Sequence, residues 1–171
     1  MKIRLFFLLI TFLISFILFV FFKSLFENNQ YVPKKISNKI ENISFKEFDS
    51  NNTIYLKDLF DKDYIILNIW SSWCVPCRQE HQYLKNLSAT EDFKMVGLNY
   101  KDKKMNAEKF LNELGNPYDI IIKDLNGTKS IYLGAYGVPE TFVIDSQMKI
   151  IKKYIGPLNS EIETEIKNIL K

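Results

Sequence analysis

The most prominent pattern in the chain is a run of apolar residues close to the N-terminus. Leu5 to Phe22 form 18 consecutive positions, of which only Thr11 and Ser15 are polar. A helix that rises about 1.5 Å per residue covers roughly 27 Å over this length, which is close to the thickness of a bilayer's hydrocarbon core. The pattern predicts one transmembrane helix within residues 1–22.

Basic residues at the start of the chain give this helix a direction. Lys2 and Arg4 precede the run, so the N-terminus is expected in the cytoplasm and the remaining chain outside it. A cleaved secretory signal is the alternative. Against it, the run exceeds the usual signal core of about 7 to 15 residues, and residues 23–27 contain no Ala-x-Ala-like pair of small residues. We expect an uncleaved anchor.

Beyond the apolar run, the composition changes twice. The tract from Asn28 to Asn42 is rich in Asn and Lys and contains Pro33, which is typical of a spacer. About 130 residues follow, enough for one hydrophobic core but not two. The predicted organisation is an anchor with a short cytoplasmic N-terminus over 1–22, a spacer over 23–42 and one domain over 43–171.

Within the domain, hydrophobic spacing predicts alternating strands and helices. Segments 43–48 and 53–56 alternate apolar with polar residues around a turn, which favours a hairpin, and the nearly continuous apolar run 64–70 favours a strand buried on both faces. Further strands are predicted over 93–99, 118–122, 141–144 and 149–154, and helices over 74–90, 105–114, 128–133 and 158–170. This order predicts an α/β fold with a mixed central sheet flanked by helices.

Charge excludes one class of function. The chain has 23 basic and 20 acidic residues and a formal net charge of +3. Its basic residues form no run longer than the pairs Lys34–Lys35, Lys103–Lys104 and Lys152–Lys153, which are interpreted as solvated surface. Nucleic-acid binding needs a basic face, so it is not expected.

Only two cysteines are present, Cys74 and Cys77. A disulfide that closes so short a loop stabilises a domain little. With His81 as the only histidine, a four-ligand Cys/His zinc site cannot be completed within the chain, and Arg78 stands where haem attachment needs histidine. No metal and no cofactor are therefore expected. A C-x-x-C pair that follows a buried strand and opens a helix indicates dithiol redox chemistry.

The two thiols have different expected roles. Cys74 lies at a helix N-terminus, where unpaired N–H groups and the helix dipole favour a thiolate, and Pro76 suits the first helical turn. Cys77, one turn further, is expected to be the shielded resolving thiol, which must lose its proton to attack a mixed disulfide.

A base is needed for that proton. The position six before Cys74 on the preceding strand, where a buried carboxylate could serve as the base, is Asn68, and an amide cannot accept the proton. Glu80, three residues after Cys77 on the same helix face, is the candidate base; the alternative is a solvated helix carboxylate. His81 is interpreted as a surface or partner contact.

A second signal lies before the predicted strand 141–144. Gly137 and Pro139 bracket a turn there, and an X–Pro bond in a turn can be cis. The sequence alone leaves both isomers of the Val138–Pro139 bond open.

Four motifs together resemble a known family: Trp-Cys-Val-Pro-Cys at 73–77, Glu-His-Gln-Tyr-Leu at 80–84, Asn-Tyr-Lys-Asp at 99–102 and Gly-Val-Pro-Glu-Thr-Phe at 137–142. In combination they are similar to the DsbE/CcmG family, membrane-anchored and thioredoxin-like thiol:disulfide interchange proteins of bacterial cytochrome c maturation. The likeness extends over essentially the whole chain, the anchor included.

The resemblance implies a thioredoxin fold in the periplasm, tethered to the inner membrane through residues 5–22. It also implies that the protein reduces the disulfide of apocytochrome c, or acts on cytochrome c maturation proteins, with electrons from a membrane donor. A general periplasmic disulfide reductase of the same fold is one alternative. A copper carrier that uses Cys74, Cys77 and His81 is another, because soft thiolates suit Cu(I).

By the same resemblance, Cys74 is the nucleophile, Cys77 the resolving thiol, and Pro139 a cis proline that faces the pair. Glu80 and Glu140 are its acidic neighbours. The expected substrate-binding residues are Trp73, Val138, Pro139 and Glu140. Backbone groups around Val138 are expected to hold the substrate chain in extended pairing.

Overall fold

The computed structural model describes residues 2–26, 40–90 and 92–170. The chain divides into two compact units, Met1–Lys35 and Ile36–Lys171. Most of the predicted spacer, with the Lys34–Lys35 pair, lies outside the described residues.

The N-terminal unit contains one long helix, α1 (Lys2–Phe26). Its segment Arg4–Lys23 has a mean hydropathy of 3.0, and the side chains from Leu5 to Phe22 are exposed. The polar Thr11 bonds within the helix, because its hydroxyl donates to the carbonyl of Leu8 at 3.0 Å. The predicted apolar helix is confirmed, and by length and composition it is able to cross a membrane.

The described residues of the second unit form seven strands and four further α-helices. The strands are β1 (Ser44–Glu47), β2 (Thr53–Tyr55), β3 (Tyr64–Trp70), β4 (Lys94–Tyr100), β5 (Ile120–Asp124), β6 (Glu140–Asp145) and β7 (Ile150–Ile155). The helices are α2 (Val75–Ser88), α3 (Lys104–Leu114), α4 (Thr128–Tyr132) and α5 (Ser160–Ile169). One element was absent from the expectations, a 3-10 helix at Leu56–Leu59 whose first and last side chains are buried.

All seven strands form one mixed sheet in the order β2-β1-β5-β4-β3-β6-β7. The central strands β3, β4 and β5 are parallel, and α2 and α3 make the connections between them. The flanking pairs β1–β2 and β6–β7 are antiparallel. The predicted hairpin and the mixed central sheet are both confirmed.

The core lies on both faces of the sheet, because successive side chains of a strand point to opposite sides. Ile66 and Trp70 of β3 pack with buried residues of α2, α3 and α5. Ile65, Leu67 and Ile69 pack on the other face, with the 3-10 helix and the residue that ends α4. Strand β3 is thus buried on both faces, as its apolar run predicted.

Strand register brings two distant segments to one edge of the sheet. Strand β3 ends at Trp70, four residues before Cys74, and Ile69 pairs with Glu140 at the start of the antiparallel strand β6. The turn that precedes β6 therefore lies beside the carboxyl end of β3, where the chain leaves the sheet for α2.

Candidate active site

The two cysteines form a disulfide at the start of α2, with their Cα atoms 5.3 Å apart. Cys74 is the N-cap residue of the helix, Pro76 lies in its first turn, and the backbone N–H of Cys77 points at Cys74 Sγ, 3.1 Å away. The predicted place of Cys74 is confirmed, and a thiolate there would receive a backbone N–H of the kind that helix N-termini leave free. Cys77 is 1% exposed.

Two exposed apolar side chains flank Cys74 in the chain. Trp73 and Val75, the residues before and after Cys74, are 57% and 69% exposed. The indole of Trp73 is held in place, because its Nε1 donates to the carbonyl of Lys101 at 3.1 Å. A partner that approaches Cys74 therefore meets an apolar surface.

The Val138–Pro139 peptide bond is cis, the isomer that the family resemblance implies. Pro139 is buried and Val138 half-buried. Because Glu140 pairs with Ile69, Pro139 lies level with the end of β3, next to the segment that leads to Cys74. The turn and the disulfide thus meet at the same edge of the sheet.

Glu80 is completely buried, so its alternative interpretation as a solvated carboxylate is wrong. Its Oε1 accepts a hydrogen bond from Asn68 Nδ2 at 2.9 Å, and its Oε2 accepts one from the backbone N–H of Leu158 at 2.8 Å. Burial raises the pKa of Glu80 to about 7, although both hydrogen bonds act in the opposite direction. A carboxyl group that titrates near neutrality is suited to take up and release a proton.

Asn68, which the sequence excluded as a base, has a supporting role that the sequence patterns did not identify. It is buried on β3, and its Nδ2 donates to Thr141 Oγ1 at 3.0 Å as well as to Glu80. Its Oδ1 accepts the hydroxyl of Tyr118 at 2.8 Å. The amide of Asn68 is therefore a fully bonded support for Glu80.

A glycine makes this support possible. Gly97 pairs with Asn68 across β3 and β4, and a Cβ on it would lie 2.7 Å from Tyr118 Cγ. The pKa of Tyr118 is raised, first by burial and then by the charge of Glu80, so its hydroxyl keeps its proton and donates. A glycine inside a buried strand signals such a close approach, and this is the signal in the sequence from which the network could have been found.

Glu140 holds the turn in front of Pro139. Its Oε1 accepts the backbone N–H groups of Tyr136 and Gly137 at 2.6 and 2.9 Å, and its Oε2 lies 2.7 Å from Lys153 Nζ. The side chain of Lys153 is only 16% exposed. The interpretation of Lys152–Lys153 as solvated surface is therefore wrong for Lys153. Successive residues of a strand point to opposite faces, and this was the signal that the two lysines would differ in exposure.

His81 is 3% exposed, so its interpretation as a surface contact is also wrong. Its Nε2 lies 2.8 Å from the carbonyl of Gly115, and since a carbonyl only accepts, Nε2 carries the proton. Burial lowers the pKa of His81. The ring meets Phe110 edge-on at 5.2 Å and ties α2 to the end of α3. Among the described residues no three His, Cys, Asp or Glu side chains are grouped to hold a metal ion.

Comparisons with known proteins agree with this geometry. The Redoxin family model matches residues 35–170. Thiol:disulfide interchange protein DsbE of Haemophilus influenzae is 42% identical over 115 residues, which are 67% of this chain and 63% of that protein. The protein of the same name from Escherichia coli K12 is 40% identical over 134 residues, 77% of this chain and 72% of that protein.

A solved structure matches the fold. The thioredoxin domain of a thiol-disulfide oxidoreductase from Bacteroides vulgatus is 18% identical, and the two superpose with a TM-score of 0.66 over 81% of this chain and 99% of that one. This likeness confirms the thioredoxin-like sheet and its flanking helices.

Proposed function

Because the chain belongs to the DsbE family of thiol:disulfide interchange proteins, we propose that it is a thiol:disulfide oxidoreductase that reduces disulfides of exported proteins. The observation that carries the proposal is the Cys74–Cys77 disulfide at the N-terminus of α2, at the same sheet edge as the cis Val138–Pro139 bond. The disulfide corresponds to the oxidised enzyme, the state left after one round of substrate reduction.

The reaction proceeds through two thiol–disulfide exchanges. The Cys74 thiolate attacks one sulfur of the partner's disulfide, which forms a mixed disulfide and releases the partner's other sulfur as a thiolate. The Cys77 thiolate then attacks Cys74 Sγ, which forms the Cys74–Cys77 disulfide and releases the second partner sulfur. The partner gains two electrons and two protons, and the enzyme loses both.

Glu80 serves the second exchange. It lies one helical turn after Cys77, and both side chains are buried. A buried thiol is a poor nucleophile until it loses its proton. A carboxylate with a pKa of about 7 accepts that proton at neutral pH and returns it to solvent or product in the next step.

Substrate recognition uses the surface on either side of Cys74. Trp73 supplies an exposed apolar face, and the backbone at Val138 pairs with an extended substrate segment in the manner of an added strand. Pro139 and Glu140 keep this backbone in place, Glu140 through the N–H groups of the turn.

The substrate class that we propose is apocytochrome c, or a cytochrome c maturation protein, before haem attachment. The motifs shared with the DsbE/CcmG family and the similarity to curated DsbE proteins support it. We propose a single pass through the bacterial inner membrane by α1, with the domain in the periplasm. A membrane dithiol donor then returns two electrons to the Cys74–Cys77 disulfide after each turnover, since a reductase in an oxidising compartment needs such a supply.

Trapping of the mixed disulfide tests this proposal. Reduced full-length Cys77→Ser protein in detergent is mixed with an apocytochrome c peptide whose two haem-binding cysteines form a disulfide, and with oxidised insulin as a general substrate. We expect a covalent adduct at Cys74, with the cytochrome peptide preferred; Cys74→Ser is the matched control. Equal adducts with both partners favour a general reductase. A Cys77→Ser chain that traps nothing while wild type turns over contradicts the dithiol scheme.

The reduction potential of the pair tests the direction of electron flow. A value near or below thioredoxin's, about −270 mV, supports a reductant, whereas a value near −120 mV indicates an oxidant. Equilibration with glutathione buffers followed by thiol alkylation measures it.

The role of Glu80 has its own measurement, the pH profile of Cys74 alkylation in the reduced protein. Glu80→Gln replaces a group that titrates near pH 7 with one that does not titrate, so we expect the profile to shift. A profile that matches wild type contradicts a role for Glu80 in proton transfer.

A further inference from the structure

The loop between β4 and α3 bonds to the two residues directly before Cys74. Asp102 Oδ2 accepts the backbone N–H of Ser72 at 2.6 Å, and Asp102 Oδ1 accepts the Ser72 hydroxyl at 2.8 Å. One residue further, Trp73 Nε1 donates to the carbonyl of Lys101. The segment that leads into Cys74 is thus attached to this loop at three points.

The loop is itself firmly held. Asp102 also accepts from Asn99 Nδ2 at 3.1 Å and from the backbone N–H of Lys103 at 2.8 Å, while the N–H of Lys101 donates to the carbonyl of Asp124 on β5 at 3.0 Å. Lys101 has a φ of 45°, a left-handed conformation that non-glycine residues adopt at a cost. These bonds hold the loop in that conformation and orient the carboxylate towards Ser72.

We propose that Asp102 is a positioning residue for Cys74. The inference rests on the dithiol function proposed above. Strand β3 ends at Trp70 and α2 begins at Val75, so residues 71–74 lie outside both elements. The stabilisation of a thiolate by a helix N-terminus falls off within one turn. The Asp102–Ser72 hydrogen bonds keep Cys74 in the capping position, where the Cys77 N–H reaches its sulfur.

Asp102 affects the Cys74 thiolate in two ways, through positioning and through its negative charge. The two effects have opposite signs, so an experiment can separate them. A nearby negative charge disfavours a thiolate, so an Asp102 that acted only through its charge would slow the reaction of Cys74. Positioning favours the thiolate and speeds the reaction. Ser72→Ala removes one of the bonds between Asp102 and Ser72 and leaves the charge in place, so it isolates positioning.

The test measures the rate of Cys74 alkylation by iodoacetamide against pH. It uses the full-length reduced chain in a Cys77→Ser background, where Cys74 is the one remaining thiol. We compare Ser72→Ala and Asp102→Ala with the control Asp145→Ala. Asp145 likewise accepts two backbone N–H groups, from Gln147 and Lys149, both at 2.9 Å. It pairs with Tyr64 at the opposite end of β3.

We expect Ser72→Ala to slow alkylation at neutral pH about two- to fivefold, the order of a helix-terminus interaction, and to move the profile to higher pH. Asp102→Ala is expected to slow it too, and Asp145→Ala to match the background. The proposal is overturned if Ser72→Ala leaves the profile unchanged, if Asp102→Ala reacts faster than the background, or if Asp145→Ala slows alkylation as much as Ser72→Ala.

This measurement is independent of the proposed function, because alkylation needs no protein partner. A wild-type chain that reduces no disulfide contradicts the proposed function, and the three profiles still decide whether Asp102 positions Cys74.

Discussion

Two buried glutamates, one on α2 and one at the start of β6, have different kinds of partner. Glu80 and Glu140 are 0% and 1% exposed, and the carboxylate of each accepts two N–H hydrogen bonds. The partners that the structure describes for Glu80 are neutral, the Asn68 amide and the Leu158 backbone. Glu140 has in addition the ammonium group of Lys153 at 2.7 Å.

The difference shows that the nearest partner decides whether a buried carboxylate exchanges a proton or holds an ion pair, since residue type and burial are the same for both. Neutral donors offset only part of the cost of burying a charge, so the pKa of Glu80 is raised to about 7 and its proton is exchangeable at neutral pH. Glu140 has an opposite charge beside it and its oxygens are used to hold the turn. We interpret Glu80 as a proton acceptor and Glu140 as a structural ion-pair partner.

The largest effect that this comparison predicts is on stability. Glu140→Ala removes the carboxylate from the half-buried Lys153, which keeps the carbonyl of Gly134 at 2.8 Å, and leaves two backbone N–H groups without their acceptor. We expect a loss of about 3 to 5 kcal/mol in unfolding free energy. The control is Glu165→Ala, which breaks an equally short ion pair, 2.7 Å from Lys152, between side chains that are 43% and 46% exposed. For Glu165→Ala we expect the unfolding free energy to fall by at most about 1 kcal/mol.

Urea unfolding of the oxidised proteins measures both losses. Similar losses in the two variants would mean that burial of the Glu140–Lys153 pair is unimportant, and the contrast between the two glutamates would fail.

The next effect is a dependence of stability on pH. The pKa of Glu80 is about 7 in the folded protein against an ordinary 4.5, so between these values the folded state binds more protons than the unfolded one. The contribution of Glu80 to the unfolding free energy therefore falls as pH rises through this window, by about 1.4 kcal/mol per pKa unit and thus on the order of 3 to 4 kcal/mol.

Denaturant unfolding with the disulfide intact, at several pH values from 4 to 8, measures this slope. The lowered pKa of buried His81 acts in the opposite direction, because below its ordinary value the unfolded state binds the extra proton. Glu80→Gln is therefore expected to lose the fall and keep the His81 contribution, whereas Glu140→Gln is expected to keep the wild-type dependence at a lower overall stability. A Glu80→Gln protein with the wild-type slope would assign the pH dependence to another group.

The smallest effect compares how tightly the protein is packed around two glycines, Gly97 in the Glu80 network and Gly137 in the turn before Pro139. In Gly97→Ala the added methyl group would lie 2.7 Å from Tyr118 Cγ and 2.9 Å from Trp70 Nε1, and such overpacking costs about 1 to 3 kcal/mol. Gly137 lies in the turn held by Glu140, and a Cβ there meets nothing within 4 Å, so Gly137→Ala is expected to change stability little.

Thermal unfolding compares the two alanine variants. If Gly97→Ala unfolds at the wild-type temperature, Tyr118 has room to move, and its hydroxyl does not hold Asn68 as tightly as the 2.8 Å hydrogen bond implies.

Much of the fold was predictable because its signals are local. The apolar run 64–70 coincides with β3, and the alternation around the turn at 49–52 marks the hairpin of β1 and β2. A C-x-x-C pair between that run and a helical pattern placed Cys74 at the helix start. The 3-10 helix at Leu56–Leu59 escaped prediction because four residues are too few to establish a period.

The sequence by itself determined the apolar helix, the order of strands and helices, and the two thiols at the start of α2, because each depends on residues within one or two turns of each other. Only the tertiary structure decided which groups surround the carboxylates. Glu80 meets Leu158 across 78 positions of the chain, and Glu140 meets Lys153 across two antiparallel strands. The physical reason is that burial, and the charge of the nearest partner, depend on how strands and helices pack, which no local pattern encodes.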